Sequence, residues 1–327
     1  MKKKIILVTG AAGFVGYHLI SRLCEMNFEV IGIDNLNSYY SVKLKRDRLK
    51  ILKKKLKFKF FNIDISKKQI IQKLFEKYNF IKVFHLAAQA GVRNSLYEAD
   101  NYVQSNLVGF INVLECIKIN KINKLVYASS SSVYGMDQKS PYQENAILKQ
   151  PMSLYAATKQ SNEIIVQSYC RLHSIKAVGL RFFTAYGEYG RPDMAIHTIT
   201  KRIFEKKNIY LVGNGNVERD FTFIDDIIDG IILASDFLDK KNNKGYFNEI
   251  FNLGSGKKTS ILKITKLIGT NIGLFPKIKF VEKNPTDMVL TQASIKKSNQ
   301  MLNYNPKISL EIGIYKFLAW YRRYYKT

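Results

Sequence analysis

Cysteine and histidine are scarce in this chain, at three and four residues among 327. Cys24, Cys116 and Cys170 are odd in number, far apart and on predicted helices. That points to buried thiols in a reducing cytoplasm and away from a disulfide framework. With no Cys/His cluster at ligand spacing, no metal is expected. Long apolar runs are missing as well. No stretch approaches the ~18 residues of a membrane span. Met1–Val8, three Lys followed by four apolar residues, is too short for a signal peptide and reads as a strand. Internal repeats and low-complexity linkers are absent. Acidic residues are half as numerous as basic ones, 26 against 52, for a formal net charge of +26. A nucleic-acid binder would gather that charge in a stripe among aromatics. Here the Lys are spread over turns and helix exteriors, densest from Lys43 to Lys59, so no nucleic-acid partner is expected. The positive field would instead help steer an anionic nucleotide.

What is present is a 46% hydrophobic chain, long enough for one large or two modest domains. Ile5 to Val8 reads as a strand buried on both faces. It enters Thr9-Gly10-Ala11-Ala12-Gly13-Phe14-Val15-Gly16, and a helical pattern runs from Tyr17 to Asn27. Gly10 suits a tight turn, Gly13 a close approach of backbone to a pyrophosphate, and Gly16 close helix–strand packing. Phosphates would sit on the helix N-terminus. A second strand, Glu29 to Ile33, ends in Asp34, eighteen residues beyond Gly16. A carboxylate at that spacing bonds a ribose 2′-hydroxyl and repels a 2′-phosphate, so NAD is expected over NADP.

Strands and helices then alternate, the pattern of a Rossmann-like, doubly wound parallel α/β sheet. Phe58–Ile63, Lys82–Leu86, Lys124–Ser129 and Ala177–Phe183 read as strands. Ser66–Tyr78, Tyr102–Ile119 and Leu154–His173 read as helices. Gly10, Asp34, Asp64, Ala88 and Ser130 should meet at the carboxyl ends of the strands. Beyond Thr184 the alternation weakens, glycines and prolines gather, and the tail is helix-rich. The expected division is a dinucleotide-binding domain over 1–183 plus roughly 221–254, with a smaller, partly interleaved α/β substrate domain over roughly 184–220 and 255–327.

Tyr155 and Lys159 stand four residues apart on a predicted helix and so share one face. A cation beside a phenol lowers its pKa from ~10 toward neutrality, letting it take a proton from a sugar hydroxyl. About twenty residues upstream lies the serine run Ser129 to Ser132, followed by Val133-Tyr134-Gly135.

Together with His85-Leu86-Ala87-Ala88-Gln89-Ala90-Gly91-Val92-Arg93, Ser105 to Gly109, Arg181-Phe182-Phe183-Thr184, Gly190-Arg191-Pro192-Asp193-Met194 and Arg219-Asp220-Phe221-Thr222, these segments resemble the extended short-chain dehydrogenase/reductase family. Within it they are most similar to the UDP-glucuronate 4-epimerases. The resemblance covers nearly the whole chain. It implies an isomerase with bound NAD, in which Tyr155 takes the 4-hydroxyl proton while C4 passes its hydride to NAD. The 4-keto sugar turns over in the site and receives the hydride on its other face. Lys159 and Ser130 complete the catalytic set. NAD would be held by Gly10, Gly13, Phe14, Val15, Gly16, Asp34, Asn35, Asp64, Ile65, Leu86, Ala87, Ala88, Gln89, Asn106, Tyr155 and Lys159. The UDP-sugar would be held by Arg93, Ser130, Ser131, Thr184, Arg191, Met194, Arg219 and Asp287. Arg191 and Arg219 supply the forked donors that suit a pyrophosphate.

A 4-keto glucuronate is a β-keto acid and loses CO2 if its carboxylate turns perpendicular to the carbonyl. Thr184, and second Ser131, are the candidates to hold that carboxylate with neutral donors. In Asn284-Pro285-Thr286-Asp287, some glucose-type relatives carry Arg at the first position and Gly at the third. Without that Arg, the expectation is either a shift of phosphate binding onto Arg191 or a weaker nucleotide affinity. A homodimer through Tyr102–Ile119 and Leu154–His173, a cytoplasmic setting and a part in surface-polysaccharide synthesis are further expectations from the resemblance. Ser131 and Ser132 stand where a 4,6-dehydratase carries Asp-Glu, and Ser132 where a UDP-glucuronate decarboxylase usually carries Glu. A UDP-hexose or UDP-N-acetylhexosamine 4-epimerase stays open as the alternative. A non-catalytic NAD-binding protein would be expected to have lost Tyr155 or Lys159.

Overall fold

The apolar run at the N-terminus is a strand, Ile5–Thr9, buried from Ile6 onward. The computed structural model describes residues 4–135, 138–241, 245–282 and 290–327. The elements begin β1 (Ile5–Thr9), α1 (Phe14–Glu25), β2 (Glu29–Asp34), α2 (Val42–Leu52), β3 (Phe58–Asn62), α3 (Lys68–Lys77), β4 (Phe80–His85), α4 (Ala99–Val103), α5 (Gly109–Ile119), β5 (Lys124–Ser130), α6 (Leu154–His173) and β6 (Lys176–Phe182). They continue β7 (Thr184–Tyr186), α7 (Ala195–Phe204), β8 (Ile209–Val212), β9 (Glu218–Phe223), α8 (Ile224–Lys240), β10 (Phe247–Leu253), β11 (Lys258–Ser260), α9 (Ile261–Ile272), β12 (Ile278–Val281), α10 (Lys296–Leu302) and α11 (Leu310–Tyr325).

Two compact units divide the chain. The first holds Met1–Asp137, Ala146–Arg181 and Ile228–Phe251, and the second Gln138–Asn145, Phe182–Ile227 and Asn252–Thr327. The sequence reading kept 138–145 with the first domain. It groups with the second because Tyr142 N–H donates to Gln292 O, while Tyr142 O accepts from Ser294 N and Asn252 Nδ2.

The first unit is a doubly wound sheet of seven strands in the order β10-β6-β5-β4-β1-β2-β3. The pairs β1–β2, β1–β4, β2–β3 and β4–β5 all run parallel. Its core packs Leu7, Ile31, Val83 and Leu125 of the strands against Phe75 of α3, Phe110 and Val113 of α5 and Val166 of α6. The strand order reverses between β1 and β4. In doubly wound sheets, such a switch point is where ligands bind, outside the carboxyl ends of the strands.

Three local features depart from the sequence reading. Helix α1 begins at Phe14, three residues before the expected Tyr17, with Gly13 as its N-cap. The Lys-rich stretch after Asp34 forms α2, capped by Ser41, whose side chain accepts from Leu44 N. It buries Leu44, Leu49 and Leu52 and, with them, Lys45 and Arg48. The single helix expected over Tyr102–Ile119 is interrupted by a π-helical turn at Gln104–Val108, centred on buried Asn106. Such turns reposition a side chain inside an otherwise regular helix.

The second unit contains a three-stranded sheet, β11-β9-β7, and a parallel pair, β12-β8. Its buried hub is Asp220. That carboxylate accepts from the N–H of Ser255, Gly256 and Ala293 and from the hydroxyls of Thr222 and Ser255. A buried carboxylate is tolerated where donors surround it in this way.

Candidate active site

At the end of β1, Gly10 turns the chain with φ +73°, and a side chain there would meet the Ala87 nitrogen at 2.9 Å. Gly16 is tighter still, since an added Cβ would lie 2.1 Å from the Gly10 carbonyl oxygen. The loop thus closes on itself across its first and third glycines. Gly13 caps α1 through backbone alone, and no acidic residue occupies the first turn that Phe14, Val15 and Gly16 open. Free N–H groups and the positive end of the helix dipole make this an anion cradle.

Asp34, at the end of β2, accepts from Ala12 N at 3.1 Å and from Leu36 N at 2.8 Å, tying the glycine loop to the next strand. Burial pushes its carboxyl above the ordinary value, against the opposing pull of the Leu36 and Ala12 N–H groups and of Lys45 and Arg48. Asn35 donates to Asp64 at 3.1 Å, and Asp64 also accepts from Ser66 N, so Asn35, Asp64 and buried Ile65 lie together. Two cations missed by the sequence reading complete this end of the crevice. Arg48 donates to Ala12 O at 2.7 Å and Tyr40 Oη at 2.6 Å. Lys45 donates to both oxygens of Asn37 at 2.7 Å. Their signal was the apolar face of α2 and its serine cap. The density of Lys around them hid it.

The segment Leu86–Gln89 leaves β4 beside the glycine loop. Thr9 Oγ1 accepts from Ala87 N and lies 3.0 Å from Nδ1 of His85, a fully enclosed ring whose pKa burial pushes down to about 3, with Lys159 acting in the same direction. Asn106 holds Gln89 through both backbone groups and also donates to Thr158 Oγ1 at 3.1 Å. Gln89 Oε1 in turn accepts from Asn37 Nδ2 at 3.1 Å. The polar chain therefore runs unbroken from the loop after β2 to α6.

Helix α6 starts at Leu154 because Ser153 caps it, accepting from Ala156 N. Tyr155 is half-buried, and its ring meets that of Tyr102 edge-on at 6.2 Å between centroids. Lys159 is buried, donates to Ala128 O at 2.9 Å and sits 6.0 Å from the centre of the Tyr155 ring. Burial pushes its pKa down to about 8, with the Glu163 charge opposing. Ser130 ends β5 and caps the short 3-10 turn Ser131–Tyr134. Its Oγ accepts from both the N–H and the hydroxyl of Ser132, at 3.2 and 3.0 Å. A hydroxyl has two acceptor positions and one hydrogen. With both acceptor positions taken, Ser130 is left as a donor.

All of the residues expected to hold the cofactor, together with Ser130, Ser131 and Arg93, belong to the first unit. Arg93 is exposed, at the head of a 3-10 turn over Asn94–Leu96. In the second unit Thr184, Arg191 and Met194 line one pocket with Tyr186, His197 and Phe221. Arg191 is paired with Asp193. Arg219, on β9, is not among that lining and donates to Glu218 O. Asp287, with Asn284 and Thr286, falls outside the described residues. Cys116 and Cys170 are buried, whereas Cys24 is only half-buried.

Relatives match nearly the whole chain. The UDP-glucuronate 4-epimerase of Thermodesulfobacterium geofontis is 42% identical over 315 residues, 96% of this chain and 95% of that protein. UDP-glucuronate 4-epimerase 4 of Arabidopsis thaliana is 40% identical over 98% of this chain and 76% of its own length. The crystal structure of the UDP-glucuronic acid 4-epimerase from Bacillus cereus, in complex with UDP-glucuronic acid and NAD, superimposes with a TM-score of 0.90 at 34% identity, covering 98% of this chain and 100% of that one. Residues 6–254 match the profile of the NAD dependent epimerase/dehydratase family, and the chain belongs to that family.

Proposed function

We propose that this protein is a UDP-glucuronate 4-epimerase, interconverting UDP-glucuronate and UDP-galacturonate through a 4-keto sugar with NAD held throughout. The observation that carries the reading is the buried Lys159 ammonium, 6.0 Å from the centre of the Tyr155 ring and bonded to the carbonyl of Ala128, two residues before Ser130 on the same strand. Tyr155 removes the proton of the 4-hydroxyl and later returns it. Lys159 supplies the positive charge that favours the phenolate. Ser130 donates to the reacting oxygen and fixes it beside Tyr155.

The residues present fit NAD. The glycine loop has no room for side chains, the helix above it carries no acid in its first turn, and Asp34 ends β2. Gly10, Gly13, Phe14, Val15 and Gly16 would hold the pyrophosphate, and Asp34 and Asn35 the adenosine ribose. Asp64 and Ile65 would flank the adenine. Leu86, Ala87, Ala88, Gln89 and Asn106 would line the nicotinamide half, whose ribose meets Tyr155 and Lys159. When bound, NAD supplies the site's hydride acceptor and donor.

For the sugar, Thr184 and Ser131 would keep the carboxylate in a safe orientation. Arg93, Arg191, Met194, Arg219 and Asp287 would hold the UDP portion. The kinship to proteins named for UDP-glucuronate favours the acid sugar over a neutral hexose. The reading extends to a cytoplasmic homodimer that feeds surface-polysaccharide synthesis. In support of the dimer, α5 and α6 expose Ile111, Ile119, Ile164 and Leu172. The test incubates the pure protein with UDP-glucuronate, UDP-glucose and UDP-N-acetylglucosamine and resolves the products by NMR. The C4 epimer is expected from UDP-glucuronate foremost, and Tyr155→Phe should abolish it while NAD and UDP still bind. Preferred turnover of a neutral sugar would overturn the substrate assignment. Substantial activity in Tyr155→Phe would overturn the mechanism.

A further inference from the structure

Within the serine run, Ser129 has no place in that mechanism. Ser129, 2% exposed, donates its hydroxyl to Glu163 Oε1 at 2.5 Å. Arg181 grips the same carboxylate with two donors, Nε to Oε1 at 2.9 Å and a terminal nitrogen to Oε2 at 2.7 Å. Its guanidinium also lies over the Tyr134 ring, 4.7 Å from the centre. Ser129 is the residue before Ser130, and Glu163 is one helical turn beyond Lys159. The neighbouring pair repeats the pattern, since Lys159 donates to the carbonyl of Ala128, the residue before Ser129. Gln160 adds a third grip, donating to Val133 O at 2.8 Å inside the turn that Ser130 caps.

Residues 128 and 129 of β5 are thus tied to residues 159 and 163 of α6. Sliding the helix by one residue along the strand would break both bonds. The Ser130–Tyr134 turn is anchored at its start through Glu163 and at its end through Arg181. A buried ion pair adds little net stability over a packed apolar pair. What it can add is direction, because the carboxylate accepts only from donors in fixed places.

We propose that Glu163, oriented by Arg181, acts with Ser129 as a positioning unit for the epimerisation, holding Ser130 in register with Tyr155 and Lys159. The proposal rests on the reading of those three residues as the reacting set. Neither Glu163 nor Ser129 touches the substrate on this account. Their effect passes through the strand end and the helix turn.

The mildest probe is Ser129→Ala, which leaves the Arg181–Glu163 pair intact. Misplacement of a reacting group by about 1 Å costs up to ~100-fold in rate, so a fall in kcat of about tenfold or more is expected. KM for UDP-glucuronate, NAD affinity and thermal midpoint should stay close to wild type, and Ser129→Thr, which keeps the hydroxyl, should restore most of the rate. Glu163→Gln should give a larger kcat loss, and it carries the risk of misfolding because it strands Arg181. Wild-type kcat in Ser129→Ala, or a rate loss that only tracks a lowered thermal midpoint, would overturn the proposal. Tyr155→Phe run alongside separates the two failures. If that variant is inactive while Ser129→Ala is fully active, the positioning role fails alone. If Tyr155→Phe keeps its activity, the underlying mechanism fails first.

Discussion

Asn106 grips Gln89 through both backbone groups of that residue: its Oδ1 accepts the Gln89 N–H at 2.8 Å and its Nδ2 donates to the Gln89 carbonyl at 3.0 Å. A flexible loop end becomes a fixed wall of the crevice as a result. Asn106→Leu removes the acceptor and both donations and strands the buried partners, each such loss costing about 1–3 kcal/mol. A clear drop in thermal midpoint is expected, together with NAD binding weakened about tenfold or more by calorimetry. Unchanged affinity would mean that the loop holds its shape without this residue.

Asp34 already spends its oxygens on Ala12 and Leu36 and is half-buried. A second negative group beside it is repelled, with the interaction only partly screened by water. NADP should therefore bind far more weakly than NAD, by roughly two orders of magnitude if the unrelieved repulsion is near 3 kcal/mol. Titration calorimetry with both dinucleotides measures the ratio directly, and comparable affinities would rule the assignment out.

His85 makes stability depend on acid. Its folded pKa is pushed down to about 3 by burial, aided by Lys159, whereas the unfolded ring titrates at 6.5. Between those values the unfolded chain binds a proton that the folded chain does not. Stability is thus unaffected above pH 6.5, falls as pH drops through 6.5, and stops falling near 3. From pH 7 to 4.5 this single group should contribute a loss of roughly 2–3 kcal/mol. Urea unfolding of wild type and His85→Leu at both pH values tests it, with a visibly shallower pH dependence expected in the variant.

Thr184 is the sharpest test of the acid-sugar reading. Thr184→Val keeps the shape of the residue and deletes one hydroxyl from the pocket it shares with Arg191 and Met194. Loss of a buried partner costs about 1–3 kcal/mol, a roughly five- to hundredfold fall in kcat/KM on UDP-glucuronate. The effect on a neutral UDP-hexose should be much smaller, and some CO2 and a pentose product should appear. Equal losses on both sugars without CO2 would point to a hexose substrate.

Local patterns told most of the first unit. A buried strand running into three glycines, and a carboxylate at the end of the next strand, are readable because each depends on neighbours in sequence. The Tyr155–Lys159 face is readable for the same reason. Helix α2 was not, since a stretch rich in Lys looks like solvated surface. Only the fold shows that Lys45 and Arg48 point inward at loop carbonyls. The π-turn at Asn106 was equally hidden, because the apolar spacing on either side continues as if the helix were regular. The placement of 138–145 depends on hydrogen bonds to residues about 110 to 150 positions away, and no local signal encodes that.

Arg48 reaches from α2 to the carbonyl of Ala12, inside the turn between β1 and α1, while Asp34 takes the N–H of the same residue. Both sides of that one peptide residue are thus governed from outside the motif that carries it. The glycine-rich turn is therefore not a portable cassette. Grafting only the first 35 residues onto another parallel sheet would carry the motif but leave behind the arginine that shapes it, and a hybrid built at that seam would inherit the letters of the loop without its curvature.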